Sequence, residues 1–312
     1  MEDEPPPGGK RTEMPLDPDV YSSPPNVKKR LLRQILRAQR ESAGLKQKEA
    51  ADRVVWSLSK LIRIETGAVP ITPADVRLLL LEYGVDEDLR NDLVELAKQA
   101  RKPDNWADYR DYISPAMQTL LDNEAAASVI LQFEPAVVPG LLQTPDYTSA
   151  LLKEQGISSK KAEKIQEIRY KRQEVLQSKD RPDLNFLLGE AALSYAIGGA
   201  QVMRMQIKRL RELADSHTDN LLLQTLPFSL GGYPGMDRSF TLYQFRVAVL
   251  PDLLYMENSR DDFAERDDRE TVDLYYGHFW DLWERANRGA GGNALLAQLH
   301  NDLDRIEKLH FR

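Results

Sequence analysis

The sequence predicts a mixed fold: an all-α domain of five short helices at residues 26–102, then an α+β domain at 104–312 with a small, mainly antiparallel sheet flanked by helices. Three observations carry that expectation. Apolar residues recur at three- and four-residue steps through the first region, and glycines close successive segments. Beyond Arg101-Lys102-Pro103 the pattern changes to short apolar runs punctuated by Pro and Gly, with helical stretches grouped before and after them. A length of 312 residues suits about two domains.

Residues 1–25 hold the prolines Pro5, Pro6 and Pro7, a Gly pair and a Pro pair, with few large apolar side chains, so a disordered arm is expected there. From Val27 the positions Leu31, Leu32, Ile35 and Leu36 mark an amphipathic helix that Gly44 ends. A second helix starts near Lys46 and turns Ala50, Ala51 and Val54 inward. Ser57 is an N-cap for a third, in which Leu61 and Ile64 share a face and which Gly67 closes. A fourth opens at Thr72-Pro73 and stops at Tyr83-Gly84, and a fifth covers 87–99 with Leu89, Leu93, Leu96 and Ala97 inside.

In the second region an aromatic segment (Trp106, Tyr109, Tyr112) precedes a helix at 115–127 and a strand in SVILQF. Pro139-Gly140 and Thr144-Pro145 punctuate the stretch after that strand, and Pro145 begins a helix that ends by Gly156. A charged helix at 160–177 leads to a strand at 183–188, helices at 191–197 and 201–214, and strands at 221–226, 239–245 and 253–257. Helices at 269–286 and 293–309 finish the chain. The run from Arg260 to Arg269, with Asp261, Asp262, Asp267 and Asp268, is expected to be a solvated loop or helix start.

Several function classes are disfavoured. With no cysteine and four scattered histidines (His217, His278, His300, His310), neither a metal centre nor any other cofactor is expected. Ser194 lacks a G-x-S-x-G setting, Gly198-Gly199 makes no phosphate loop, and no H-E-x-x-H occurs, so the expectation is not an enzyme. No window approaches the ~20 apolar residues of a membrane helix. The acidic, Pro-rich start does not resemble a signal peptide, and a cytoplasmic protein without a membrane partner is expected.

Charge is the most informative quantity. Residues 27–66 carry eleven Lys and Arg against four Asp and Glu, a local +7, which leaves −14 for the rest of a chain of net −7. A basic module on an acidic body points to nucleic acid. Two short helices at a fixed angle can lay the second into a DNA major groove, and the helices from Gln47 and from Ser57 have that spacing. The connecting turn Val54-Val55-Trp56 lacks the glycine often found there.

The pattern LKQKEAADRVVWSLSKLIRIETG resembles the phage-repressor or XRE type of helix-turn-helix. By that resemblance Lys46, Gln47 and Ser57 contact phosphates, while Leu58, Ser59, Lys60, Ile62 and Arg63 face base edges. Arg63 is able to pair with a guanine, and Ile62, where a polar residue is expected, either touches a thymine methyl or is simply partly buried. Glu65 reads as structural, paired with Arg40, because a carboxylate facing phosphate would repel it. The runs VPGLLQTPDYTSALL, RYKRQEVL, FLLGEAAL and LPFSLGGYPGMDRSFTLYQF resemble the large uncharacterised C-terminal domain of WhiJ-like and antitoxin-like regulators of filamentous, sporulating bacteria. The resemblance implies a transcriptional regulator, often associated with a small cognate partner protein. An antitoxin-like role against such a partner is the first alternative, and enzyme activity in the C-terminal domain is the second.

A helix-turn-helix covers only a half-site, so a homodimer on a palindromic operator in double-stranded DNA is expected, with the C-terminal domain pairing the readers and receiving a small-molecule or protein signal. Candidate ligand contacts are Gln143, Tyr147, Arg172, Gln173 and Glu190, polar groups beside apolar runs. The plainer expectation is that Gln143 and Glu190 hold turns through backbone hydrogen bonds and that Arg172 pairs with an acid.

Overall fold

The computed structural model describes residues 18–103, 106–178, 181–216, 220–233, 235–247, 249–257, 263–266, 268–287 and 293–311. The chain divides into two compact units, Met1–Lys102 and Pro103–Arg312.

The first unit is helical throughout its described elements: α1 (Pro18–Ser22), α2 (Pro25–Ser42), α3 (Gln47–Arg53), α4 (Leu58–Glu65), α5 (Pro73–Glu82) and α6 (Glu87–Gln99). Sequence signals explain the starts. The Ser57 hydroxyl accepts from the Lys60 N–H, Thr72 and Asp75 cap α5 reciprocally, and Asp86 accepts from the Leu89 N–H. Leu31, Leu32, Ile35, Leu36, Ala50, Ala51, Leu61, Ile64, Leu79 and Leu93 fill the core, each at most 1% exposed. The expected arm needs correcting at its end. Residues 1–17 lie outside the described residues, but α1 is one helical turn, its Val20 is fully buried, and the Lys28 ammonium donates to the Tyr21 carbonyl at 2.7 Å. Five residues are too short to show a helical period, so this turn leaves no trace in the pattern.

The second unit is α+β. Its elements are α7 (Pro115–Ala126), β1 (Val129–Glu134), α8 (Pro145–Glu154), α9 (Ser159–Gln173), β2 (Asp183–Gly189), α10 (Glu190–Ser194), α11 (Ala200–Ser216), β3 (Leu221–Leu226), β4 (Phe240–Gln244), β5 (Leu253–Glu257), β6 (Phe263–Arg266), α12 (Arg269–Asn287) and α13 (Asn293–Glu307). The six strands form one sheet in the order β3-β2-β1-β4-β5-β6. β1 pairs in parallel with β2 and β2 with β3, while β4, β5 and β6 join by antiparallel pairing, so the sheet is mixed. Parallel neighbours need crossovers, and α8–α9 and α10–α11 supply them.

Alternate residues face opposite layers. Ile130, Leu184, Phe186, Leu223 and Tyr243 pack with Tyr147 of α8, Met203, Ile207 and Leu210 of α11, and Leu303 of α13. Leu131, Phe133, Leu187, Leu242 and Leu254 pack with Val272, Phe279, Leu282 and Trp283 of α12. The charge run expected to be a solvated loop or helix start does end in the start of α12, but it also contains a strand: β6 pairs with β5 from Glu257↔Phe263 to Leu254↔Arg266. Edge strands commonly carry charge, which masks them in a hydrophobic pattern. Asp261, Asp262 and Asp267 lie outside the described residues, as does His217; Asp268 caps α12 by accepting from the Thr271 N–H at 3.0 Å.

Candidate nucleic-acid interface

The interface is built on α3, the turn after it, and α4. A helix facing the core through Leu61 and Ile64 must turn residues 59, 62, 63 and 66 outward, because each residue advances about 100°, and residue 58 borders that face in the first turn. Leu58, Ser59, Ile62, Arg63 and Thr66 are exposed accordingly. Arg63 keeps its Nε near the Ser59 carbonyl at 3.3 Å, leaving its guanidinium at the surface.

What fixes this face is a buried ion pair. Arg40 of α2 and Glu65 of α4 meet in a two-pronged contact, Nε–Oε1 at 2.6 Å and a second guanidinium nitrogen to Oε2 at 3.0 Å, with the two side chains 7% and 4% exposed. Arg40 also donates to the Leu45 carbonyl at 2.8 Å, which anchors the chain as it leaves α2. Gln47, at the start of α3, donates its amide to Glu65 Oε2 at 2.8 Å. One carboxylate thus holds three helices in register, and the pairing expected for Glu65 is present. Gln47 reaches the surface only in part, since its amide is engaged inward. Lys46 is exposed, and its backbone N–H donates to Glu49 at 2.8 Å.

Lys60 departs from the expectation that it faces base edges. It lies on the flank of α4, where its ammonium sits 3.4 Å above the Trp56 ring and 3.4 Å from the Asp75 carboxylate. The 100° advance from Leu61 carries it away from the outward face. The turn resolves the absence of glycine differently. Val55 adopts the left-handed conformation at φ 56°, and it is 91% exposed. A branched residue is strained there, by an amount on the order of 1–2 kcal/mol.

The five candidate ligand contacts of the second unit are not brought together at one open site. Gln143 and Tyr147 converge on one buried residue, Val138: the Tyr147 hydroxyl accepts from its N–H at 3.2 Å, and the Gln143 amide donates to its carbonyl at 2.6 Å. Burial pushes the Tyr147 hydroxyl up to about 12 against the smaller opposing effects of the Val138 hydrogen bond and Arg169. Gln173 donates to the Gly140 and Gln143 carbonyls at 3.2 and 2.8 Å. Arg172 pairs with buried Glu124 at 2.7 and 3.2 Å. Glu190 lies elsewhere, at the end of β2, where it accepts from the Phe228 N–H at 2.9 Å and from Arg305. These are the structural roles of the plainer expectation.

Two residues of this cluster, Gln206 and Arg169, are not among the sequence candidates. Gln206 accepts from the Thr144 N–H at 2.7 Å and donates to the Leu142 carbonyl at 2.8 Å, standing in for a missing strand. One signal does point to it: a lone amide within the apolar stripe Met203, Ile207, Leu210 of α11 must find buried partners. Arg169 donates to Gln143 Oε1 and lines a cleft of about 450 Å³ between α8 and α9 with Gln143, Thr148, Gln166, Tyr170 and Gln173.

Comparison with known families agrees with the division of the chain. A model described as "Helix-turn-helix domain" matches residues 31–93. A second, "Domain of unknown function (DUF5753)", matches residues 117–298, more than half of the chain. The chain belongs to the DUF5753 family. No curated protein and no solved structure gives a significant match. The helix-turn-helix match spans the Arg40–Glu65 brace and all of α4, so the first unit carries a helix-turn-helix domain, which supports DNA binding and transcription regulation. The DUF5753 match takes in the sheet, the 137–144 elbow and the α8–α9 cleft. Among the described residues no group of His, Asp and Glu could hold a metal ion, and no helix is long and apolar enough to cross a membrane.

Proposed function

We propose that the protein is a sequence-specific transcriptional regulator of the XRE type, close to the WhiJ-like regulators its sequence resembles. It lays α4 in the major groove of double-stranded DNA, with Leu58, Ser59, Ile62 and Arg63 toward base edges and Lys46, Gln47 and Ser57 toward phosphates. The observation that carries this reading is the buried Arg40–Glu65–Gln47 brace, which fixes α3 and α4 while the outward face of α4 stays open in a segment of local charge +7. Buried ionic groups of this kind set geometry more than they add stability.

The DUF5753 domain pairs two such readers and adjusts their affinity to a small polar effector, for which the α8–α9 cleft beside Arg169 is the site. Pairing follows from the reach of the motif, since one recognition helix covers a half-site and twofold symmetry doubles the address. The cleft is within the usual size of small-molecule sites, roughly 300–1,000 Å³.

Sequencing the DNA fragments bound by the full chain in its host tests the reading. The expected result is one enriched motif with two half-sites about 34–36 Å apart or a multiple of that. Arg63→Ala is expected to relax one position of each half-site at a cost of about 1–3 kcal/mol. Absence of any enriched motif, with the chain intact and folded, overturns the assignment.

A further inference from the structure

We infer that Leu58 and Ile62 form a paired apolar reader of thymine C5-methyl groups, so that this regulator selects its sites partly by shape-matched methyl contacts. The inference rests on the DNA-reading role of α4 proposed above and specifies its chemistry. The outward face of α4 has Ser59 and Arg63 as its polar members, and alongside them runs a row of two large apolar side chains, Leu58 at 41% and Ile62 at 36% exposure. Ile62 is turned away from the core residues Leu61 and Ile64, and Leu58, in the first turn, borders it on the same exposed strip. Lys60 sits on the flank, against Trp56 and Asp75, and leaves that surface without a lysine.

The surrounding charge decides the occupant. A segment carrying +7 attracts a polyanion, and the apolar group a duplex offers in its major groove is the methyl of thymine. The spacing also fits. Four residues along a helix advance about 6 Å, and two base steps advance about 6.8 Å at 3.4 Å each, so the pair reaches methyls roughly two steps apart. Arg63, next to Ile62, is then placed to read a guanine beside the second thymine.

The test uses the full chain. Duplexes bound from a random-sequence pool supply a site, and each thymine in it is replaced in turn by deoxyuridine, which lacks the methyl and keeps every hydrogen-bonding group. Two positions in each half-site, about two steps apart, are expected to lose about three- to fivefold in affinity, the worth of one buried methyl. Leu58→Ala should abolish the sensitivity at one position and Ile62→Ala at the other, with helix content unchanged because both side chains are exposed. Uniform indifference to deoxyuridine, or sensitivity that survives both substitutions, overturns the inference while leaving DNA binding intact. If no duplex is enriched at all, the DNA-reading role and the inference fall together. If the alanine variants instead lose self-association, the face is an interface between copies of the chain and the inference is wrong.

Discussion

The turn between α3 and α4 and the elbow at residues 137–144 are both short irregular connections packed among helices, and they are secured by different chemistry. Around the first, one buried carboxylate gathers a guanidinium and an amide, and the turn itself is left exposed with Val55 strained at its tip. Around the second, Gln143, Tyr147, Gln173 and Gln206 meet the backbone groups of residues 138–144 one by one. The difference teaches what each connection is for. Ions fix the angle between helices whose outer surface must stay open, whereas neutral amides satisfy a backbone that runs through the core and has no strand beside it.

That contrast can be broken at its most costly point first. Glu65→Ala leaves Arg40 buried without its carboxylate and is expected to destabilise the first unit by about 3–5 kcal/mol. Amide hydrogen exchange should show the loss in α3 and α4, with β1 and β2 unaffected. If exchange accelerates equally in both units, the brace is not local to the helix-turn-helix.

Next, Gln143→Ala leaves the Val138 carbonyl and the Thr148 hydroxyl without their partner, at a cost of about 1–3 kcal/mol that should appear as a lower denaturant midpoint of the second unit. Tyr147→Phe sharpens the same side through pH. An unfolded tyrosine ionises near 10, while Tyr147 in the fold is pushed up to about 12. Below pH 10 both states keep the proton. Between 10 and 12 the unfolded state gives it up first, so stability falls as pH rises. The variant should be weaker at neutral pH but lose less stability than the parent across that alkaline window, measured by denaturant midpoints.

The smallest effect is expected at Val55→Gly. Relief of the left-handed strain outweighs the added chain entropy of glycine, for a net gain on the order of 0.5–1 kcal/mol. No gain in thermal midpoint would mean that Val55 is not strained.

Legibility in the sequence follows the range of each interaction. Ser57 as a cap, Leu61 and Ile64 as an inward pair, and Glu65 with Arg40 are all readable, because helix period and charge logic are local or nearly so. The parallel pairing of β1, β2 and β3 is not, since nothing within a strand's own residues states the direction of its neighbour. Gln143 and Glu190 are recognisable as polar groups beside apolar runs, yet which backbone atoms they meet depends on folding that brings Val138 and Phe228 to them. Lys60 is misplaced for a smaller reason: on an eight-residue helix, one position of rotation separates the reading face from its flank.

The position of β1 has a further consequence, in time. It lies between β2 and β4, and the Ser128 hydroxyl just before it donates to the Gln244 carbonyl, 116 residues along the chain. During synthesis the central strand of the second unit therefore waits, with one edge unpaired, until β4 has left the ribosome. The first unit has no such debt to distant sequence. Its bracing ion pair joins residues only 25 apart, so it is built to condense early and fast, and the helix-turn-helix can be finished while the second unit is still being made.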